Sequence, residues 1–271
     1  MVLLLQNVWL RRSAFVLLAQ ALIMVLAEPA FAVRPFVTDD ARVVFKGQLE
    51  VENFAQLNMT KGEKPSYQIR SLQGTSVTDR LEIIAGGFGP LYENKQVKPV
   101  DLVFQPKYVF YRSLGAIPSL SAAVGQLFPL SGNRQQWNSY AMVHASWFLF
   151  TPPESTDPYD NGLAIHLNLG TKSQYDAGLA GRYTTKPYWA AGFEAITFSR
   201  DFRVIGEVFA GDPFTFEEDF PVFQTGFRWY KTANFQFDLV WRGVRDNDER
   251  ASDTIQIGLR FLFDDAIKFP W

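Results

Sequence analysis

Phe235–Arg242 reads FQFDLVWR and Thr254–Phe263 reads TIQIGLRFLF, and these two stretches decide the fold. In both, a large apolar residue returns at every second position, with residues such as Gln236, Asp238 and Arg260 between them. A period of two places successive side chains on opposite faces of a β-strand. The C-terminal third of the chain is therefore predicted to form strands with one apolar and one polar face.

The same period runs upstream as far as residue 46. Near the start of the first such segment, Leu49 and Val51 alternate with Glu50 and Glu52. Twelve segments are predicted as strands, namely residues 46–58, 66–73, 79–92, 98–112, 117–129, 136–150, 162–172, 187–199, 201–210, 222–230, 234–243 and 254–263. An even number of strands is what a closed single-chain bacterial barrel requires.

Strand length favours a membrane barrel over a soluble β-sandwich. A tilted membrane strand needs about ten residues, as most of these segments have, whereas sandwich strands are nearer to about six. Tryptophans that suit either the aromatic girdles of a barrel or the core of a sandwich are Trp137, Trp147, Trp189, Trp229 and Trp241. Because a sheet in hydrocarbon cannot leave an edge unpaired, we predict a closed antiparallel transmembrane β-barrel.

The connections between the predicted strands alternate in length over the C-terminal part of the chain. Short connections at 199–201 and 231–234 alternate with long ones at 211–221 and 244–253. Outer-membrane barrels show this alternation because their periplasmic turns are short and their extracellular loops are long. Residues 151–161 are an exception, since this long connection falls where a short turn is expected.

The first 32 residues are predicted to be a cleaved signal peptide. Arg11 and Arg12 precede an apolar run from Ala14 to Ala27, and Ala30-Phe31-Ala32 supplies the small residues that signal peptidase reads. The run is shorter than the roughly 20 residues of a transmembrane helix, and no later run is long enough. The chain is therefore expected to be exported.

The mature chain is divided into three predicted parts. Residues 33–45 form an N-terminal leader or plug, residues 46–263 form the barrel, and residues 264–271 form a C-terminal tail. The sequence shows no strict internal repeat and no proline-rich linker, so no second domain is predicted.

Composition excludes several functional classes. The formal net charge of −2 provides no basic field of the kind that binds nucleic acid. The chain has no cysteine, which excludes disulfides, thiolate nucleophiles and cysteine metal sites. Aromatic residues make up 15% of the chain and suit strands and membrane interfaces.

The start of the predicted mature chain, Arg34–Ala41, reads RPFVTDDA. It resembles the opening of a family of bacterial outer-membrane transporters named after the meta-cleavage pathway of phenol degradation. Asn168-Leu169-Gly170, Gly192-Phe193-Glu194, Gly206-Glu207 and Gly258-Leu259-Arg260-Phe261 are similar to strand landmarks of that family. The resemblance implies an outer-membrane barrel that carries hydrophobic or aromatic compounds.

Charged residues on the polar strand faces are the main candidates for a functional site. Those predicted to line the lumen are Glu194, Glu207, Arg228, Asp238, Arg242 and Arg260. They either line a water path or pair with one another in a network that plugs or stiffens the barrel.

A second group of candidates precedes the first strand. Arg34, Asp39 and Asp40 either fold into the periplasmic mouth as a small plug or belong to a disordered leader. The sequence leaves these two alternatives open.

The two histidines are the candidates for an enzymatic site. His144 and Ser146 are two residues apart and share one face of a predicted strand. His166 is the second histidine, and both are otherwise read as polar lumen residues. Two histidines fall short of the three or four ligands of a typical zinc site, so no metal and no cofactor are predicted.

Taken together, these features predict a monomeric or weakly oligomeric barrel in the bacterial outer membrane that passes small, hydrophobic or aromatic solutes and is not an enzyme. The alternatives are a membrane-embedded hydrolase and a closed structural or adhesion barrel that binds partners through its extracellular loops. Expected partners are outer-membrane lipid, the solute and the barrel-assembly machinery. The last of these would read the terminal strand ending in Phe263 or the final Trp271.

Heat modifiability tests the barrel prediction. The mature chain, purified from outer membranes in mild detergent, is expected to migrate faster on a gel before boiling than after it, because a closed barrel resists unfolding by detergent. A soluble periplasmic chain with no mobility shift would instead support the β-sandwich.

Overall fold

A computed structural model describes residues 36–88, 92–93, 96–97, 101–129, 137–150, 162–176, 182–214, 221–232, 234–245 and 251–267. The predicted signal peptide and Arg34 lie outside this range, as does the tail beyond Ile267. The described strands are β1 (Leu49–Thr60), β2 (Ser66–Ser76), β3 (Leu81–Phe88), β4 (Tyr92–Glu93), β5 (Gln96–Val97), β6 (Asp101–Tyr111), β7 (Ser119–Pro129), β8 (Asn138–Leu149), β9 (Leu163–Asp176), β10 (Arg182–Ile196), β11 (Phe202–Ala210), β12 (Pro221–Thr232), β13 (Phe235–Arg245) and β14 (Ala251–Phe263).

The twelve longer strands form one closed antiparallel barrel, as the sequence predicted. Each strand pairs with its neighbours along the chain, and β4 and β5 form a short hairpin between β3 and β6 that pairs with β2. The barrel closes where β1 pairs with both β2 and β14, so that Leu49 lies opposite Thr75 on one side and Phe263 on the other. Closure gives both sides of β1 a backbone partner, which a sheet in hydrocarbon requires.

The barrel turns its apolar face outward and its polar face inward. On β12, Phe227 is 55% exposed on the outer surface, whereas Arg228 beside it is 0% exposed in the interior. On β9, Leu169 is 61% exposed and Asn168 is fully buried. A soluble sandwich would bury the apolar face instead. An apolar exterior around a closed antiparallel sheet is the arrangement of a bacterial outer-membrane protein, in agreement with the predicted location.

The two ends of the barrel differ in their connections. Residues 77–80, 112–118, 197–201 and 233–234 connect strands at the end that carries Leu49 and Phe263, and three of these four connections have five residues or fewer. Because short turns face the periplasm in outer-membrane barrels, we term this the periplasmic end. The connection from β8 to β9 belongs to the same end, and its residues 151–161 lie outside the described residues.

The predicted boundaries of β10 were wrong at both ends. The strand was expected at 187–199, but it runs from Arg182 to Ile196 and contains Pro187. Pro187 pairs with Thr171 of β9, and the ladder with β11 begins only at Trp189. Proline is tolerated on a strand edge because an edge residue needs no N–H donor on its open side. A proline therefore did not mark the start of this strand.

The described residues contain no helix that is long and apolar enough to cross a bilayer.

Substitutions at two depths test the assignment of the apolar exterior. Leu169→Arg, at the middle of β9, is expected to reduce the free energy of unfolding by about 2–4 kcal/mol, because arginine would face hydrocarbon. Phe198→Arg is the control; Phe198 is 92% exposed in the turn after β10, where the cost near an interface falls to about 0–1 kcal/mol. Urea unfolding of barrels refolded into lipid vesicles measures both. Equal losses would contradict the assigned depth.

Candidate functional site

Three of the predicted lumen residues form one buried ion network. Because β10, β12 and β13 all turn their even-numbered positions inward here, Glu194, Arg228 and Asp238 meet in the interior. Arg228 Nε donates to Asp238 Oδ1 at 2.9 Å, and Arg228 Nη1 contacts Glu194 Oε2. Arg203 Nη1 lies 3.0 Å from Glu194 Oε1, and the Tyr230 hydroxyl donates to the same oxygen at 3.0 Å. This part of the lumen wall is a mutually paired network.

Two further predicted residues point inward but lie outside that network. Arg242 Nε donates to Gln224 Oε1 at 2.9 Å, and Arg260 Nη2 donates to Glu50 Oε2 at 2.9 Å. Both arginine side chains are buried. The six charged candidates are therefore all interior, but the structure divides them among several separate contacts.

The residues ahead of β1 lie inside the barrel. We term residues 36–45 the inner segment. Every residue from Phe36 to Val44 is buried except Arg42, which is half-buried. Phe36 packs against Ile205 and Val240 of the wall, and Lys46 forms a bridge with Ser76 where the chain reaches the periplasmic end. The segment thus runs from the periplasmic end into the middle of the lumen.

The backbone of the inner segment is held by side chains of the wall. Both oxygens of Glu207 accept hydrogen bonds, from the N–H of Val37 at 2.9 Å and of Thr38 at 2.7 Å. Asn168 Oδ1 accepts from the Asp39 N–H at 2.6 Å, and Asn168 Nδ2 donates to the Asp39 carbonyl at 2.7 Å. Glu207, a predicted lumen residue, therefore binds the segment.

The two predicted acidic residues of the inner segment have cationic partners. Asp39 Oδ1 lies 3.0 Å from Lys107 Nζ, and Asp39 Oδ2 lies 3.8 Å from His144 Nε2. Asp40 Oδ2 accepts from Arg42 Nη2 at 2.7 Å, and its Oδ1 is 3.9 Å from Lys107 Nζ. Burial alone would raise the pKa of the Asp40 carboxyl, but Arg42 and Lys107 outweigh it and hold this pKa well below its ordinary value. Asp40 is therefore ionised at physiological pH.

Each histidine pairs with a serine of the neighbouring strand. His144 Nδ1 shares a hydrogen bond of 3.0 Å with Ser121 Oγ, and His166 Nδ1 shares one of 2.9 Å with Ser146 Oγ. The Ser146 hydroxyl also accepts from the Ala41 N–H at 2.8 Å and is fully buried. The inner segment thus covers the serine that a hydrolase would need as a nucleophile.

An apolar layer surrounds Val37. It lies further from the periplasmic end than the polar contacts of Asp39 do. It consists of Leu72, Val103, Ala123, Leu127, Tyr140, Met142, Tyr188, Ala190, Phe209 and Val222. The Tyr188 hydroxyl also donates to the Val37 carbonyl at 3.0 Å. The lumen therefore has two adjoining layers, one polar around Asp39 and one apolar around Val37.

The inner segment and the wall together line a small cavity. A cavity of about 30 Å³ is lined by Phe36 and Val37 together with Arg70 and Arg242 of the wall. A buried water needs at least about 10–15 Å³, so the cavity has room for roughly two waters.

Sequence reasoning missed Lys107 and Asn168, which hold the inner segment. The signal was available for Lys107, because Gln105 and Lys107 continue the inward phase of Val103 and Val109 while Phe104 and its outward neighbours face lipid. Asn168 was seen only as part of a family landmark. Arg34, the third predicted plug residue, lies outside the described residues. Within the described ranges, no group of three or more metal-ligating side chains occurs.

Comparisons with known proteins support the fold. No protein-family profile matches the chain, and no curated protein matches it. A crystal structure of the NanC porin is similar at 10% identity, covering 77% of this chain and 98% of that one, with a TM-score of 0.51. An outer membrane channel from Pseudomonas putida F1 is similar at 14% identity, covering 86% of this chain and 99% of that one, also with a TM-score of 0.51. The chain therefore has the fold of outer-membrane porins and channels.

The ion network of Arg228 generates a stability prediction. Arg228→Met would leave the buried Asp238 carboxylate without its guanidinium partner, and we expect the free energy of unfolding to fall by about 3–5 kcal/mol. The double variant Arg228→Met, Asp238→Asn removes the uncompensated carboxylate and leaves Glu194 paired with Arg203, and it is expected to recover at least half of that loss. Urea unfolding in vesicles measures both variants. A double variant less stable than Arg228→Met would contradict the network.

Proposed function

We propose that this chain is an outer-membrane channel for small solutes and that its inner segment closes the lumen. The observation that carries this proposal is the mode of attachment of the segment. Its backbone is held by wall side chains such as Glu207 and Asn168, and it adds no strand to the barrel. Its removal would therefore leave every strand pairing intact.

The polar contacts of the segment favour reversible docking. The Asp39 carboxylate faces Lys107 and His144 across an interface that water could enter once the segment moves. In water each ion recovers its hydration, so the net loss on separation is much smaller than the Coulomb attraction alone. An apolar plug of the same size would gain no hydration on leaving the lumen, so its removal into water would cost more free energy. A permanently closed lumen would therefore be expected to have an apolar plug.

The proposed cargo is a small solute with hydrophobic or aromatic character. The apolar layer supports this, because apolar side chains offer no compensating contacts to a hydrated ion, whereas they can pack against an apolar solute. Aromatic members of the layer, such as Tyr140, Tyr188 and Phe209, offer flat surfaces for such a solute.

We further propose that the barrel-assembly machinery recognises β14. The strand carries the apolar alternation through to Phe263 and provides the closing ladder with β1. Before it pairs with β1, β14 has an unpaired edge to which another chain can pair.

A reversible cross-link between the inner segment and the wall tests whether the segment closes the lumen. A Cβ built at Gly192 would lie 3.3 Å from Thr38 Cβ, close to the 3.5–4.5 Å spacing of a disulfide. Because the chain has no cysteine, Thr38→Cys with Gly192→Cys would form the only possible intramolecular disulfide. We expect the oxidised variant to be closed in planar bilayers and to conduct after reduction, as the unmodified chain does. The two single-cysteine variants are the controls.

Two other outcomes have distinct meanings. Equal conductance in the oxidised and reduced states would contradict the inner segment as the gate. The absence of conductance from the unmodified chain and from the reduced variant would contradict the channel and favour a closed structural or adhesion barrel.

A further inference from the structure

The inner segment occupies the lumen in the manner of a bound ligand. Its Val37 side chain lies in the apolar layer, and its Asp39 carboxylate lies 3.0 Å from Lys107 in the polar layer. The two groups belong to residues only two apart in the chain. The wall therefore holds an apolar group and a carboxylate that belong to residues whose Cα atoms are at most about 7 Å apart.

The carboxylate position is a built site on the wall. Lys107 is 2% exposed and His144 is 1% exposed, and both aim nitrogen atoms at Asp39. His144 is in turn fixed by its hydrogen bond with Ser121. Glu82 is the cross-strand partner of Lys107, but an ammonium has three N–H donors and can serve a wall carboxylate and a second one together.

The apolar layer begins directly beside this site. Ala123 lies opposite Lys107 on the neighbouring strand, and Met142 is two residues from His144 on the same inward face of β8. Both belong to the layer around Val37. A ligand whose carboxylate contacted Lys107 could therefore extend in one direction and pack its apolar body against Ala123 and Met142.

We propose that Lys107 and His144 form a binding subsite for the carboxylate of a small apolar organic acid, which competes with Asp39 for this position. The inference rests on the proposed function, and it specifies the substrate class of that channel. A neutral apolar solute that displaced the segment would take both Asp39 and Asp40 away from the buried ammonium of Lys107 and leave only the wall carboxylate of Glu82 opposite it. A small inorganic anion would leave the apolar layer uncovered. An acid with an apolar body satisfies both layers.

Competition with Asp39 also connects binding to opening. A ligand that takes the Lys107 position removes one of the contacts that hold the inner segment. The segment then retains its backbone hydrogen bonds with Glu207 and Asn168 but lacks the ion pair, so it is bound less tightly overall. The solute thereby favours the open lumen through which it passes.

The test measures hexanoate binding to the full mature chain in detergent micelles by calorimetry. Asp39→Asn removes the negative charge that competes for Lys107 while keeping the size of the side chain, and we expect the variant to bind hexanoate about tenfold or more tightly than the unmodified chain, the value of one charge-assisted hydrogen bond. Adding Lys107→Met to Asp39→Asn is expected to abolish this gain. Adding Lys172→Met, which removes a different buried lumen lysine on β9, is expected to preserve it.

Two probe molecules distinguish the contributions of the polar layer and the apolar layer to binding. Hexanamide keeps the apolar body without the charge, and acetate keeps the charge without the apolar body. Both are expected to bind Asp39→Asn at least about tenfold more weakly than hexanoate does. Gel mobility before and after boiling confirms that each variant is a closed barrel, and Lys107→Gln replaces Lys107→Met if the latter does not close.

Equal binding of hexanoate and hexanamide, or unchanged hexanoate binding after loss of Lys107, would overturn the subsite. Because calorimetry needs no current, the two proposals can fail separately. Binding without conductance in any variant would refute the channel and keep the subsite. Conductance with no preference for hexanoate would refute the subsite and keep the channel.

Discussion

The requirement that every backbone N–H and C=O find a partner within the sheet governs this structure. In hydrocarbon there is no water to satisfy an open strand edge, so β1 must pair with β14 and the sheet must close. Closure gives the wall two surfaces with opposite surroundings. Since side chains alternate along each strand, every second residue faces lipid and the others face the interior. Phe227 and Arg228 can therefore be adjacent in sequence and lie in unlike environments.

The interior that closure creates is a poor solvent for charge, and the chain compensates by pairing. Arg228 lies between Glu194 and Asp238, and Arg260 contacts Glu50. The inner segment extends the same principle, because Asp39 meets Lys107 only when the segment is inside. An internal ligand of this kind fills the lumen with groups that a solute of similar chemistry could replace. The interactions that stabilise the closed barrel and those proposed to select its cargo are thus closely related.

The strand pattern was accessible from the sequence because alternation is a local property. The twelve predicted segments correspond to the twelve long strands, and Glu207 and Arg228 were assigned to the inward face by phase alone. The limits of β10 were not accessible, since Pro187 is tolerated only because β11 stops short of it. The contacts of the charged residues were equally hidden. Phase shows which way a side chain points, but a partner on a distant strand depends on register and on barrel circumference.

Alternation along the chain is enough to predict strands with one apolar and one polar face, because the period of two is a property of consecutive residues. What fills the space that those strands enclose depends on contacts that form only in the folded barrel. Nothing in RPFVTDDA specifies that Asp39 lies against Lys107, which is 68 positions away along the chain. That contact exists because twelve strands of fixed tilt and register bring β6, β8, β9 and β11 around one axis. The polar interior then accepts the segment ahead of β1, which reaches it and matches its charges.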